Sequence, residues 1–388
     1  MIYLDHAATA FPRHPGVPEA MAQALEIAGS VGRGSHGGAR GASQIVSNCR
    51  ERLAHLFAVS DPERMVLFPS STLALSTIVS DLTSPSKAAG NDAPLWIGPL
   101  EHNAVWRPAV RAIGVDRVRK LPADATGRID LEAMGAIDPA GALGVMVQHG
   151  SNVAGVIQPI AEIGAWAERG GIPFVVDGAQ AAGLVPVALE QIPGLCAYSM
   201  AGHKYLGGAP GIGAVWLAGG FDPEPLWIGG NGVDSELPRI PDSGPARYES
   251  GTPNLPGIAA LERALAWFDH HPVAERFRLL NEVRREWRDR LAEISGLELI
   301  GEGDEHAPRT PVLSIRIRGL DPEELAGILD AKIGARCRAG LHCAPLAHEY
   351  FGTLAEGGTT RIAPGPETTV EDRDTVLELL AEMAGRAR

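Results

Sequence analysis

The sequence predicts an α/β fold with a mainly parallel central sheet and a second, smaller α/β domain. Short apolar runs alternate with helical patterns through the first half of the chain, which is typical of a parallel sheet with helices on both faces. A stretch dense in Gly and Pro follows at 219–256. A chain of 388 residues is too long to fold around one small hydrophobic core, which favours two domains. We therefore expect a large domain at 15–256, a smaller domain at 257–388 and an N-terminal segment, 1–14, that joins them.

The elements follow from hydrophobic periodicity and helix-capping signals. A helical pattern runs through Val17, Met21 and Leu25, and Ser43 is expected to cap the second helix. Strands are expected at 65–68, 95–98, 115–121, 143–147, 174–177, 195–200 and 213–217, with helices at 72–82, 103–113 and 160–169. The smaller domain is expected to hold helices at 257–269, 273–294 and 322–333, strands at 312–317 and 359–363, an extended piece ending at 338, and a last helix from 369.

Composition excludes several classes of function. Hydrophobic residues make up 45% and charged residues 21%, as in ordinary globular proteins, and the net charge of -13 disfavours nucleic acid or an anionic membrane as partner. No apolar stretch is long enough to span a bilayer, and no basic-then-apolar leader opens the chain, so a cytoplasmic location is expected. Four cysteines form no disulfide framework, and Cys49 and Cys196 are expected to be buried.

Polar residues follow several of the expected strands, at the sheet edge where parallel α/β folds bind ligands. They lie at 70–72, 101–104, 149–155 and 177–180. Ser70-Ser71-Thr72 opens a helix, which suits a phosphate but is also an ordinary helix cap. Each segment alone is compatible with a structural turn.

Lys204 stands between small residues directly after the strand at 195–200, with a Gly-rich tail behind it. A lysine removed from water has a lowered pKa and is a nucleophilic amine that can form a Schiff base with an aldehyde cofactor. The alternative is a surface lysine in a glycine loop. Together with the imidazole, amide and carboxylate groups of the other segments, Lys204 supplies what a pyridine aldehyde phosphate needs.

These motifs resemble the class V aminotransferases, of the aspartate aminotransferase-like fold type I, and among them the cysteine desulfurase and selenocysteine lyase group. The resemblance runs nearly end to end. Its stretches are Tyr3-Leu-Asp-His-Ala-Ala-Thr9, Glu101-His-Asn-Ala104, Ser151-Asn-Val-Ala-Gly155, Val176-Asp-Gly-Ala-Gln180, Gly202-His-Lys204, Glu249-Ser-Gly-Thr-Pro-Asn254, Arg338-Ala-Gly-Leu-His-Cys-Ala344 and Thr360-Arg-Ile-Ala-Pro-Gly365.

The resemblance implies pyridoxal 5'-phosphate as cofactor, carried by Lys204. It places Asp177 at the pyridine nitrogen, Gln180 at the ring hydroxyl and His102 stacked on the ring. Asn152 is expected near both ring and substrate.

The same resemblance assigns the cofactor phosphate to Ser71, Thr72 and His203, with Thr252 reaching it from the other subunit of a homodimer. Ala201 replaces the serine that many desulfurases have three residues before the lysine, so one phosphate hydroxyl is missing.

The expected activity is conversion of L-cysteine to L-alanine, with the sulfur held on Cys343 as a persulfide. Arg361 is expected to bind the substrate carboxylate, unless it is a surface arginine on its strand. His342, also expected in the substrate site, and Arg338 are the candidates for lowering the thiol pKa. Leu341 replaces a histidine that often precedes His-Cys, and the short loop resembles the subgroup that passes sulfur to a separate acceptor protein.

Other hypotheses remain open from sequence. Cys343 could be a buried loop thiol, whereas His342, Cys343 and His348 are too few ligands for a structural zinc site, so no metal is expected. Cys337 is expected to be buried or to act as a resolving thiol. Rival functions are a selenocysteine lyase or C–S lyase, an aminotransferase or epimerase, and a non-catalytic scaffold. The loop at 33–40 is an entrance loop or a connector.

Overall fold

The computed structural model describes residues 1–32, 34–84, 92–230, 232, 238–304 and 307–386. The strands are β1 (Ile2–Tyr3), β2 (Met65–Phe68), β3 (Leu95–Ile97), β4 (Val118–Lys120), β5 (Gly144–Gln148), β6 (Phe174–Asp177), β7 (Leu195–Ala201), β8 (Gly213–Leu217), β9 (Leu297–Ile300), β10 (Leu313–Ile317), β11 (Ala335–Arg336), β12 (Arg338–Gly340) and β13 (Thr359–Ile362).

The helices are α1 (Val17–Leu25), α2 (Gly37–Leu56), α3 (Ser71–Leu82), α4 (Asn103–Ile113), α5 (Leu131–Gly135), α6 (Ile160–Arg169), α7 (Pro245–Tyr248), α8 (Leu255–Ala266), α9 (Val273–Ala292), α10 (Pro322–Ile333), α11 (Pro345–Tyr350) and α12 (Val370–Arg386). Short 3-10 turns lie at Pro62–Arg64, Val115–Arg117, Leu189–Gln191, Trp267–Asp269 and Leu354–Glu356. No helix in the described ranges is long and apolar enough to cross a membrane.

A seven-stranded sheet forms the centre of the fold, in the order β2-β8-β7-β6-β5-β3-β4. Only β8 runs against its neighbours, so the predicted α/β class with a mainly parallel sheet is confirmed. All four residues of β6 are buried, as expected for a strand covered on both faces. The carboxyl ends of β5 and β6 therefore open at one edge of the sheet.

A second sheet of four antiparallel strands has the order β12-β13-β10-β9. Beside it, β1 pairs in parallel with β11, and Asp5 then forms a bridge with Ala363. The N-terminal segment thus runs beside β11 and reaches the residue that follows β13. Helix α8 packs against α1 and α2, and the division at residue 256 stays a prediction.

The start of α2 differs from the prediction. The helix begins at Gly37 and is capped by His36, whose Nδ1 accepts from the Ala39 N–H at 3.4 Å, whereas Ser43 lies inside it. Glycine has low helix propensity, which hid this first turn. The expected loop at 33–40 is therefore helical from Gly37 onward, and Arg33 lies outside the described residues.

Other elements were predicted incompletely. Residues Val115–Arg117 form a 3-10 turn, so only Val118–Lys120 of that segment is a strand. Strand β9 and helix α11 were not predicted at all. The latter follows Cys343 directly and helps to shape its loop.

Candidate active site

A central cavity lies beyond the carboxyl ends of β5, β6 and β7, and the first turns of α3 and α4 close its sides. It brings together most of the predicted site residues. Those that line it are Ser71, Thr72, His102, Asn152, Asp177, Gln180, His203 and Lys204, together with Ala201. Segments up to 133 residues apart in sequence thus meet because parallel strands end at one edge.

Lys204 is half-buried and follows β7 at the cavity wall. Burial lowers the pKa of its amine from 10.5 to about 8, while the charge of Asp177 opposes that shift. A substantial share of this amine is therefore neutral just above physiological pH. A neutral amine is the nucleophilic and basic form of lysine.

Asp177 is the last residue of β6 and is only 6% exposed. Burial raises the pKa of its carboxyl, whereas hydrogen bonds from the Ala179 N–H and from Ser71, and the charge of Lys204, lower it. The Ala179 N–H donates to Oδ1 at 3.0 Å. The carboxylate is thus fixed at the cavity edge with further acceptor capacity.

The turn after Asp177 needs a glycine. A Cβ atom at Gly178 would lie 2.1 Å from Cε1 of Tyr198, which is fully buried in β7. The Tyr198 hydroxyl in turn contacts His149 Nδ1 at 2.9 Å. The aromatic ring therefore sets how the chain leaves β6 and where the carboxylate of Asp177 points.

Ser71 is engaged at the Asp177 side of the cavity. Its hydroxyl forms a buried hydrogen bond with the hydroxyl of Ser199, and Ser70 caps α3 by accepting from the Leu73 N–H at 3.2 Å. The helix-cap interpretation therefore applies to Ser70, and the start of α3 lines the cavity. Assignment of the phosphate to Ser71 and Thr72 stays a prediction.

His102 caps α4, and its Nδ1 accepts from the Ala104 N–H at 3.0 Å. Burial and then the charge of Lys204 lower the pKa of the imidazole to about 4. The ring is therefore neutral at pH 7, with its proton on Nε2. A neutral ring suits stacking on an aromatic ligand.

Two buried amides each leave an acceptor oxygen without a partner among the described residues. Gln180 donates through Nε2 to the carbonyl of Ala7 at 2.8 Å, and its Oε1 is unpaired. Asn152 donates through Nδ2 to the carbonyl of His342 at 2.7 Å, and its Oδ1 is unpaired. Because unpaired buried acceptors are rare, these two atoms indicate hydrogen-bond donors on a bound ligand.

The N-terminal segment supplies residues that sequence reasoning missed. Thr9 Oγ1 lies 3.2 Å from His203 Nδ1 and also donates to the His203 carbonyl at 3.1 Å. Arg13 Nη1 donates to the carbonyls of His203 and Gly208 at 2.8 and 2.9 Å. Only the Tyr3–Thr9 motif signalled that this segment belongs to the site.

Arg361 is 1% exposed, so it is not a surface arginine. Its Nη2 donates to Asp5 Oδ1 at 2.6 Å and its Nη1 to the Asn152 carbonyl at 3.2 Å. Burial lowers its pKa, while the carboxylate of Asp5 opposes that shift. Nε has no partner within the described ranges, so donors remain for a ligand.

The loop at 341–344, here called the Cys343 loop, carries an exposed thiol. His342 and Cys343 have φ values of +50° and +58°, which is unusual for residues other than glycine. The Asn103 N–H donates to the Cys343 carbonyl at 2.8 Å, directly beside His102. Arg338 Nη2 donates to Sγ at 3.4 Å. The loop is thereby fastened to the rim of the cavity, and Cys343 is not buried.

The side chain of His342 is buried, whereas Cys343 is exposed. His342 is 2% exposed, and its Nε2 lies 3.0 Å from Thr359 Oγ1, with the His348 ring 5.5 Å away between centroids. Burial and then the charge of Arg361 lower its pKa well below the usual value. The ring is therefore neutral, and its placement in the substrate site stays a prediction. No group of three potential metal ligands occurs in the described part of the chain.

Thr252 lies outside the central cavity and is exposed. It lines an adjoining cavity that shares Pro69, Gly211 and Ile212 with the central one. A residue of a second chain in this adjoining cavity would lie next to the central site. The contact of Thr252 with a cofactor phosphate stays a prediction.

Known proteins resemble this chain over nearly its whole length. The family model described as Aminotransferase class-V matches residues 2–376. The probable cysteine desulfurase of Methanothermobacter thermautotrophicus is 29% identical, over 99% of this chain and 95% of that protein. Cysteine desulfurase CsdA of Escherichia coli is 27% identical, over 97% and 92%. The apo structure of the cysteine desulfurase from Thermococcus onnurineus aligns with a TM-score of 0.88 at 26% identity, over 99% and 95%.

Proposed function

Because the chain belongs to the class V aminotransferase family, we propose that it is a pyridoxal 5'-phosphate-dependent cysteine desulfurase. One observation carries the proposal. The amine of Lys204 and the carboxylate of Asp177 line one cavity, and the exposed thiol of Cys343 stands on a loop bonded to the rim of that cavity.

The residues present fit the cofactor. Lys204 offers a desolvated amine for its aldehyde, Asp177 a buried carboxylate for its ring nitrogen, and Gln180 Oε1 an unpaired acceptor for its ring hydroxyl. His102 supplies a neutral ring for stacking. When bound, pyridoxal 5'-phosphate supplies an electron sink for the α-carbon of an amino acid.

Lys204 and Arg361 then divide the work on the substrate. Arg361 holds the carboxylate of L-cysteine with the donors that Asp5 and Asn152 leave free. With a pKa of about 8, the amine of Lys204 is matched to moving a proton between the α-carbon and Cβ near neutral pH.

Cys343 takes the sulfur. The C–S bond of L-cysteine breaks as an S–S bond to the Cys343 thiolate forms, and Cβ gains a proton. The products are L-alanine and a persulfide on Cys343, so atoms and electrons balance without another reactant. Arg338 Nη2 lies 3.4 Å from Sγ and donates a hydrogen bond to it.

We further propose a homodimer and transfer of the sulfur to a separate acceptor protein. Thr252 is exposed in the single chain beside the cavity next to the site, where a second subunit would bring its own residues. Cys343 is exposed on a short loop, so an acceptor thiol has access to a persulfide there.

A product assay tests the proposal. Protein loaded with pyridoxal 5'-phosphate and given L-cysteine without a reductant should form L-alanine and one extra sulfur atom on the Cys343 peptide by mass. Cys343→Ala should form neither. Cys337→Ala is the matched control, because burial raises the pKa of Cys337 to about 12 and keeps it a thiol. Turnover that survives Cys343→Ala would instead favour a selenocysteine lyase or C–S lyase.

A further inference from the structure

Asn152 is bonded to two functional parts of the molecule at once. It is 5% exposed and lines the central cavity. Its carbonyl accepts from Arg361 Nη1 at 3.2 Å, and its side-chain Nδ2 donates to the carbonyl of His342 at 2.7 Å. Its Oδ1 is buried without a partner in the described structure. The residue therefore connects the carboxylate-binding arginine, the Cys343 loop and the cavity.

The bond to His342 decides which way the amide of Asn152 faces. A carbonyl is only an acceptor, so the amide edge turned toward His342 must be the NH₂ donor. The reversed amide would place two acceptors against each other and leave the donor without that carbonyl. Oδ1 is consequently the acceptor that remains available to a hydrogen-bond donor in the cavity.

The Cys343 loop depends on such external bonds. Left-handed backbone at two successive non-glycine residues persists only where the surroundings hold it. The carbonyls of His342 and Cys343 are held by Asn152 Nδ2 and by the N–H of Asn103. The second bond comes from backbone at a helix start, whereas the first comes from a side chain that also faces the ligand cavity.

We propose that Asn152 is a positioning residue that couples amino-acid binding to the placement of Cys343. The amino nitrogen of a bound substrate donates to Oδ1 and thereby keeps the amide in the orientation in which Nδ2 secures the loop. Since coupling is reciprocal, a secured loop also favours binding of the amino acid. The inference rests on the proposed function for the roles of the cavity and of Cys343.

Hydrogen–deuterium exchange of the amides at 342–344 in the cofactor-loaded protein tests the bond itself. Asn152→Ala removes the donor, and Asn152→Asp at neutral pH turns a carboxylate oxygen toward the His342 carbonyl. Both should exchange about tenfold faster than wild type, as expected for one lost buried hydrogen bond. Asn48→Asp on α2 is the control for added charge and should not differ from wild type. Unchanged exchange in the folded Asn152 variants would overturn the proposal.

A ligand arm tests the coupling. L-alanine, which has the amino nitrogen, should slow exchange at 342–344 in wild type, whereas propionate, which lacks it, should not. Asn152→Ala should abolish the difference, and equal effects of both ligands in wild type would refute the coupling. These readouts need no turnover. A wild type that forms no alanine would refute the proposed function alone, and alanine formation with unchanged exchange would refute only the coupling.

Discussion

The central cavity and the Cys343 loop meet at Asn152, but they are built by different means. The cavity residues stand at strand ends and helix starts of the seven-stranded sheet, where ordinary backbone and burial fix them. The loop joins β12 of the second sheet to α11 and contains two left-handed residues held by bonds to other segments. The first region is positioned by the sheet topology, and the second by hydrogen bonds to other segments.

This difference indicates a division of the chemistry. Under the proposed function, Lys204 and Asp177 in the cavity activate the amino acid, whereas the thiol of Cys343 at its rim takes the sulfur. Variants of one region should therefore separate the two halves of the reaction. The predictions below are ordered from the largest expected effect to the smallest.

Lys204→Ala should abolish both activation of the amino acid and sulfur capture. Without the amine there is no covalent attachment of the cofactor and no base of suitable pKa, so alanine formation should fall by about 10³-fold or more. Mass spectrometry after borohydride reduction should find the cofactor on wild type but not on the variant. Retention of wild-type turnover would contradict the role of Lys204.

Cys343→Ala should break only sulfur capture. Desulfuration should fall to background, whereas exchange of the α-hydrogen of L-alanine with deuterium should stay within about twofold of wild type, because the cavity is unchanged. Exchange followed by NMR measures the second half. A parallel loss of both activities would show that the loop and the cavity are one unit.

His348→Gln, in the helix that follows the Cys343 loop, should reduce the pH dependence of the free energy of unfolding. His348 is fully buried, and burial lowers its pKa from 6.5 to about 4. Its folded pKa is below the unfolded one, so stability is present above pH 6.5 and is lost as pH falls toward 4. The substitution should lower the slope of unfolding free energy against pH in that window by up to about 1.4 kcal/mol per pH unit.

Urea unfolding across pH 4–7 provides this measurement. Exposed His270 is the matched control for a histidine-to-glutamine change. His102 has the same shift from burial on the cavity side, so His102→Gln should also reduce the slope while removing the stacking ring. An unchanged slope in His348→Gln would mean that its ring already titrates freely.

Ala201→Ser should strengthen cofactor binding in the cavity. Ala201 lines the cavity three residues before Lys204, where the family resemblance implies a serine whose hydroxyl donates to the cofactor phosphate. One added hydrogen bond should lower the dissociation constant of pyridoxal 5'-phosphate by about threefold to tenfold. Equilibrium titration measures it, with Ala112→Ser on the exposed face of α4 as control. Equal affinities would place the phosphate elsewhere.

Much of the cavity was predictable because its residues directly follow segments with clear hydrophobic patterns. Asp177 ends a continuous apolar strand and Lys204 follows another, so hydrophobic runs alone located them at the ligand edge of the sheet. The glycine-rich first turn of α2 and the short helix α11 were missed, since neither has a clear hydrophobic period.

The sequence by itself determined the class of fold and the residues that line the cavity, and it singled out Cys343 as the candidate thiol, because strand ends and motifs are encoded within a few neighbouring residues. Only the tertiary structure decided how Asp5 and Asn152 hold Arg361, where the ring of His342 points and which bonds fix the Cys343 loop. Those contacts join residues 17 to 356 positions apart in the chain. Their geometry follows from how the two sheets and the N-terminal segment pack together. No local sequence pattern predicts that packing.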